Sequence, residues 1–261
     1  MAQPYETIRL EIDVSGVASL VLNRPAKRNA LNAVMIRELT DAAGRLAGDN
    51  AIRVVIISAA GETFCAGVDL AWMEEQFAAA HPARLAEASR LTLMFRHLDE
   101  LPSLLIAIID GPAYGMGVGL AAVSDIVLAT PRTEFVLSEI RLGLMPAAIA
   151  PYLVRRIGLG ALRKYALNAT PIGASEARNL SLVSEIHESQ HLSGAIDRQV
   201  DNALASAPGA IAESKKLFRR IASGAVTQSG IVEALATRWA SPEAHQGVAA
   251  FFQRSLPPWA G

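Results

Sequence analysis

The sequence predicts an α/β fold with parallel strand pairing in its core, and three observations carry that prediction. Short apolar runs rich in β-branched residues recur at Val54–Ile57 and Leu104–Ile109, as buried strands require. Segments of helical spacing separate them, which is the alternation that builds parallel sheets. Beyond about residue 150 strand signals thin, and residues 195–261 read mostly as helix. The expected division is a core over 1–195 and a helical C-terminal region over 196–261 that packs on the core or on another subunit.

The elements follow in chain order. Ile8, Leu10, Ile12 and Val14 alternate with Arg9, Glu11 and Asp13, the pattern of a half-buried strand. Ser15-Gly16 signals a turn and Val17–Leu22 a second strand, so a hairpin opens the fold. Asn32 is placed to cap a helix whose Met35, Leu39, Ala42 and Leu46 share one face. After the Val54–Ile57 strand, Ala88, Leu91, Phe95 and Leu98 mark a longer helix that stops before Pro102. Leu104–Ile109 is followed by a glycine-rich loop over Gly111–Gly119, with a helix expected from Leu120 to Val123. Asp125–Ala129 and Glu134–Leu137 read as short strands, and Leu182–Ile186 is the last good strand candidate. Pro208-Gly209 and Ser223-Gly224 break the C-terminal helices.

Composition removes several classes. Hydrophobic residues make up 51% of the 261 residues and charged residues 19%, enough apolar material for a sizeable core and too much for a disordered chain. Lys and Arg total 24 against 25 Asp and Glu, without the basic excess of a nucleic-acid binder. The one cysteine, Cys65, rules out an intramolecular disulfide and a C-x-x-C metal site, and fits a reducing, cytoplasmic setting. MAQPYETIRLEIDV is polar and alternating, unlike a signal peptide, and no apolar run reaches the roughly 18 residues of a membrane span.

No G-x-S-x-G elbow, Walker loop or H-E-x-x-H helix is present. His187 and His191 stand four apart without a carboxylate ligand pattern and read as solvated loop. Nothing in the sequence places a base beside Cys65. Two glycine-containing turns instead draw the eye. Phe64-Cys65-Ala66-Gly67-Val68-Asp69-Leu70 follows the first buried strand, and Asp110 to Leu120 follows the second. Strand-to-helix turns leave backbone N–H groups unpaired, and glycine lets a ligand approach them. Side by side, the turns would offer one N–H each to a single oxygen; alternatively they are tight turns without a ligand. Gly115, Gly117 and Gly119 do not have the G-x-G-x-x-G spacing of a dinucleotide loop. Glu139 stands in the apolar stretch Phe135–Pro146. It is either a buried acid/base or a surface partner of Arg141 or another cation.

Taken together, these blocks resemble the enoyl-CoA hydratase/isomerase, or crotonase, family. They are Asn23-Arg24-Pro25…Asn29-Ala30-Leu31-Asn32, the Phe64–Leu70 turn, Gly111-x-Ala113-x-Gly115-x-Gly117, and Ser138-Glu139-Ile140-x-Leu142-Gly143. The likeness runs through roughly residues 5–255. It implies a spiral of β-β-α units with a helical C-terminal region, assembled as trimers that often pair into hexamers. It implies an acyl-CoA thioester substrate, with CoA entering as part of that substrate and with no separate cofactor or metal. The thioester oxygen is expected on the N–H groups of Val68 and Met116, the latter following Gly115; the family usually has glycine where Met116 stands. Substrate or CoA contacts are implied at Lys27, Arg28, Ala30 and Leu31, at Ala66, Asp69 and Leu70, and at Gly115. Phe251, Phe252 and Trp259 either close the acyl-CoA site or belong to the core or an interface.

The acid/base pair of the two-glutamate hydratases maps onto Glu139 and, for its other member, onto Gly119, so one carboxylate is missing. A single carboxylate suffices to shift a double bond and favours an isomerase. Asp69-Leu70-Ala71-Trp72, Gly117-Val118-Gly119-Leu120 and Leu137-Ser138-Glu139-Ile140-Arg141-Leu142-Gly143-Leu144 pull the other way. They are similar to bacterial 3-methylglutaconyl- and isohexenylglutaconyl-CoA hydratases, whose substrates carry a second carboxylate. Arg141 and Arg96 are its candidate partners by charge. The expected activity is therefore hydration of a branched, glutaconyl-type enoyl-CoA with Glu139 as acid/base. The alternatives are an isomerase using Glu139 alone and an acyl-CoA-binding homologue without turnover.

Overall fold

The computed structural model describes residues 5–260. Residues 1–4 and 261, and with them the start of the polar N-terminal segment and both outer ends of the expected two-part division, lie outside the described residues. In chain order the elements are β1 (Ile8–Ile12), β2 (Val17–Leu22), α1 (Ala33–Gly48), β3 (Val54–Ala59), α2 (Leu70–Ala78), α3 (His81–Asp99), β4 (Leu104–Ile109), β5 (Ala113–Tyr114), α4 (Met116–Val123), β6 (Ile126–Ala129), β7 (Glu134–Val136), α5 (Ala150–Asn168), β8 (Ile172–Gly173), α6 (Ala174–Asn179), β9 (Glu185–Ile186), α7 (Ser189–Leu204), α8 (Pro208–Ala222), α9 (Gln228–Trp239) and α10 (Pro242–Gln253).

The main sheet has the order β1-β2-β3-β4-β6-β9. The hairpin is antiparallel, with Ile8 opposite Leu22, and every later pair is parallel. The strands are continuous apolar runs because both faces are covered. Leu105, Ala107, Val127 and Ala129 pack with α1, α3 and α4 in one core. Val54, Ile106 and Leu128 point the other way, onto Leu192, Ala195 and Ala203 of α7. The 195/196 boundary therefore falls inside a helix that belongs to the sheet. A smaller sheet, β5-β7-β8, lies beside the site. Asn32 caps α1 by accepting from the Met35 N–H at 2.9 Å.

Four expectations shift. Ile12 and Val14 are exposed, so the first strand is half-buried only at its start. Ala88 is also exposed, and α3 reaches the core through Met94, Phe95 and Leu98. α4 starts at Met116 rather than Leu120, because Gly117 and Gly119 sit within the helix where the packing admits no side chain. The last strand shortens to Glu185–Ile186, and His187 pairs with Glu185 across 2.6 Å instead of facing solvent.

Candidate active site

β3 and β4 are parallel neighbours, with Val54 opposite Leu104 and Ile57 opposite Ala107, so their C-terminal ends share one edge of the sheet. That edge is where parallel sheets present ligand sites. The two glycine-containing turns leave from it and run alongside each other. Phe64 N–H donates to Pro112 O at 3.0 Å, and Tyr114 N–H donates to Cys65 O at 2.8 Å. Cys65 itself is fully buried; burial pushes its thiol up to about 12, and it serves as packing.

The first turn is clamped from outside. Leu31 N–H donates to Gly67 O and Leu31 O accepts from Asp69 N–H, both at 2.8 Å. This is a parallel bridge between Leu31 and Val68. Such a bridge uses the groups flanking residue 68, so Val68's own N–H faces the opposite side. Buried Asn29 fixes the clamp: its amide donates to Ala60 O at 2.8 Å and Thr63 O at 2.9 Å, and its carbonyl accepts from Arg24 N–H. That is the physical content of the Asn23–Asn32 block.

The second turn is held by Gly115 N–H donating to Val136 O at 2.9 Å. Met116 then opens α4, so its N–H is one of the orphans of a helix start, at the positive end of the dipole. Among the described residues neither Val68 N–H nor Met116 N–H has a hydrogen-bond acceptor. Gly67 at φ +89° and Gly115 at φ +46° occupy backbone regions that L side chains rarely adopt. A Cβ on Gly67 would lie 3.2 Å from Tyr114 O and 3.9 Å from Met116 N, which shows how closely the turns approach.

Glu139 completes the arrangement. It is 8% exposed, and neither carboxylate oxygen has a hydrogen-bond partner. A Cβ on Gly115 would meet its Oε1 at 2.9 Å, so the carboxyl lies against the second turn. Burial, the larger influence, raises its pKa above the usual 4.5, while its own backbone N–H acts the other way. Arg141, the expected surface partner, instead donates to Ala169 O at 2.9 Å.

A cavity of about 390 Å³ joins these parts. Its walls include Lys27, Arg28, Ala30, Ala66, Asp69 and Leu70, together with Val68, Gly115, Met116 and Glu139. Leu31 is the exception: its side chain is 0% exposed in the core, and only its backbone serves the site. Asp69 is committed to Arg24 at 2.9 Å and caps α2 through Ala71 N–H. Burial works against its charge, but these bonds outweigh it and hold its pKa low. Arg96, Arg141, Phe251, Phe252 and Trp259 do not line the cavity; both phenylalanines are exposed, and Trp259 Nε1 donates to Ala205 O at 3.2 Å. Gly67, Ala71, Ser138, Leu142 and Leu144, which belong to the sequence motifs but were given no contact of their own, also line it, as does Ala26, which no motif includes. Their signal was position, each standing within five residues of a residue already singled out.

Position 119 is closed. A Cβ there would lie 2.2 Å from Ile149 Cγ2 and 2.9 Å from Phe95 Cε1, so apolar side chains fill the space a second carboxylate would need. Among the described residues no group of His, Cys, Asp and Glu is placed to hold a metal ion, and no helix is long and apolar enough to cross a membrane. A larger cavity, about 680 Å³, lies between α8 and the ends of α3–α5, apart from both turns.

Two uncommitted amides and a buried, unpartnered carboxyl on the wall of one cavity form a site for chemistry beside a carbonyl: the amides can take charge on its oxygen while the carboxyl moves a proton. Residues 13–261 match the enoyl-CoA hydratase/isomerase family, and the chain belongs to it. The 2,3-dehydroadipyl-CoA hydratase of Escherichia coli K12 is 32% identical over 253 residues, covering 94% of this chain and 95% of that one. Among solved structures, an enoyl-CoA hydratase from Shewanella pealeana superposes with a TM-score of 0.93 at 32% identity, covering 98% of this chain and 96% of the other. Pseudomonas aeruginosa AtuE does so with a TM-score of 0.93 at 32% identity, covering 98% of this chain and 100% of its own. The expected α/β crotonase-type architecture is thereby established.

Proposed function

We propose that this chain is an enoyl-CoA hydratase that adds water across the 2,3 double bond of a branched, glutaconyl-type enoyl-CoA thioester. The observation that carries the reading is the buried, unpartnered Glu139 carboxyl set against Gly115 and the two free amides. Val68 and Met116 N–H groups hold the thioester oxygen and take the charge of the enolate. Ionised Glu139 accepts a proton from water as the water oxygen bonds to Cβ. The same carboxyl then returns a proton to Cα, so one water is added and the enzyme is restored. Lys27 and Arg28, exposed at the cavity mouth, take the phosphates of CoA, which enters as part of the substrate. A substrate with a second carboxylate is supported by the Asp69-Leu70-Ala71-Trp72 and Ser138–Leu144 blocks. It is also supported by the E. coli relative, whose name is that of a hydratase for a dicarboxylic thioester.

A second reading is favoured by one observation. With position 119 filled by Ile149 and Phe95, a single carboxylate serves the site, and that suffices for an isomerase. The segment after residue 195 exposes Trp239, Phe251, Phe252 and Leu256, which supports its use in assembling a homotrimer or a hexamer of paired trimers. A cytoplasmic setting goes with the free, buried Cys65 thiol. The test is Glu139→Gln. Turnover is expected to fall by about 10²- to 10⁴-fold with binding of CoA esters retained; near-normal turnover overturns the assignment.

A further inference from the structure

Hydration by one carboxylate leaves a geometric problem, and this inference rests on the hydratase reading. The attacking water must be aimed at Cβ, and a water held by one group alone is free to swing about it. Position 119 cannot contribute, because Ile149 Cγ2 occupies the space at 2.2 Å from a Cβ there. The polar side chains on the cavity wall are few: Lys27, Arg28, Asp69, Ser138 and Glu139. Lys27 and Arg28 are exposed at the mouth. The Asp69 carboxylate is spent on Arg24 and the Ala71 amide. Ser138 remains. Its hydroxyl makes no cap hydrogen bond to the turn that follows it, whereas its backbone is fixed, with its carbonyl accepting from Arg141 N–H at 3.1 Å. Two residues earlier, Val136 O accepts from Gly115 N–H, which seats this end of β7 against the amide-bearing turn.

We propose that the Ser138 hydroxyl is the second group holding the attacking water, in place of the carboxylate that position 119 cannot accommodate. The hydroxyl accepts one hydrogen bond from the water, or donates one to it, and undergoes no net proton transfer. Glu139 takes the water's other proton as the C–O bond forms and returns a proton to Cα. Removal of an α-proton from a saturated acyl-CoA needs Glu139 and the two amides but no attacking water. The two reactions therefore separate the roles.

The experiment compares the parent with Ser138→Ala and Ser138→Thr. Hydration is followed on crotonyl-CoA and 3-methylglutaconyl-CoA, and α-proton exchange on butyryl-CoA in deuterated water by mass spectrometry. Ser138→Ala is expected to lose about 10- to 100-fold in hydration kcat, the loss of one hydrogen bond to a reacting group, while exchange stays within about threefold. Ser138→Thr, which keeps the hydroxyl, is expected to recover most of the loss. Hydration by Ser138→Ala within twofold of the parent overturns the proposal. So does a parallel fall in exchange, or a threonine variant no faster than the alanine one, since each marks a packing role. A parent that exchanges the α-proton but hydrates neither ester refutes the hydratase reading itself, and this proposal with it.

Discussion

Gly119→Ala tests whether the second carboxylate position is closed. Gly119 lies inside α4, where replacing glycine by alanine ordinarily gains about 1 kcal/mol. Here the new Cβ would meet Ile149 Cγ2 at 2.2 Å and the Phe95 ring at 2.9–3.0 Å. Ile149 and Phe95 are both 0% exposed, so neither has free space into which to retreat. Overpacking of this kind costs about 1–3 kcal/mol, and a contact with buried groups on two sides belongs at the upper end. The net expectation is a loss of about 2 kcal/mol, or a fall of about 4–8 °C in Tm for a domain of this size. Ile149→Ala removes Cγ2, which Ile149→Val would keep. Thermal unfolding of Gly119→Ala, Ile149→Ala and the double variant should show the double variant about 1–2 kcal/mol better than the sum of the singles. A Gly119→Ala protein as stable as the parent, or strict additivity, would refute the claim that packing excludes a side chain there.

Further predictions follow from the same structure. Burial raises the folded-state pKa of Glu139 above its unfolded value of 4.5, so between the two the native state binds the extra proton and stability falls as pH rises. Denaturant titrations should therefore show Glu139→Gln gaining on the parent from acid to neutral pH, while the parent's kcat/KM shows an acid limb with an apparent pKa above 4.5; no gain would contradict the orphan carboxylate. Lys215 ties α8 to the core through Asp125 at 2.5 Å and Ser103 O at 2.8 Å. Burial pulls its pKa down, against the pull of Asp125. Lys215→Ala should cost about 1.5–3 kcal/mol by urea unfolding, since it removes the charged bond to Asp125, which keeps only the Leu105 N–H at 2.7 Å on that carboxylate, and the bond to Ser103 O; a change under 1 kcal/mol would contradict that anchoring role. Replacing Lys27 and Arg28 together by alanine should raise KM for CoA esters severalfold with kcat little changed, an effect that shrinks with added salt; an unchanged KM would remove them from CoA binding.

Much of this fold was legible in the sequence where one physical signal dominated. The alternation at Ile8–Ile12, the Asn32 cap and the β-branched runs of β3 and β4 each have a single structural outcome. The start of α4 was not legible. Glycines at 117 and 119 argue locally for a loop, and only the neighbouring Cys65, Ile149 and Phe95 show why a helix needs them. β8 is two residues long and has no periodicity to read. At the site, the paired turns and Glu139 stood out by type and spacing. Leu31 was assigned to the cavity because its neighbours belong there, yet its side chain turns into the core while its backbone clamps Val68. That Glu139 lacks any partner depends on where Arg141 goes, which is a tertiary fact.

The central claim is that one carboxylate and two amides add water to an enoyl thioester. Mass spectrometry of the purified protein in ¹⁸O-labelled water, given a panel of enoyl-CoA esters that includes 3-methylglutaconyl-CoA and a 3-enoyl-CoA, tests it most directly. The account predicts ¹⁸O in a hydroxyacyl-CoA product. A shifted double bond with no label and unchanged mass would contradict it and make the single carboxylate that of an isomerase.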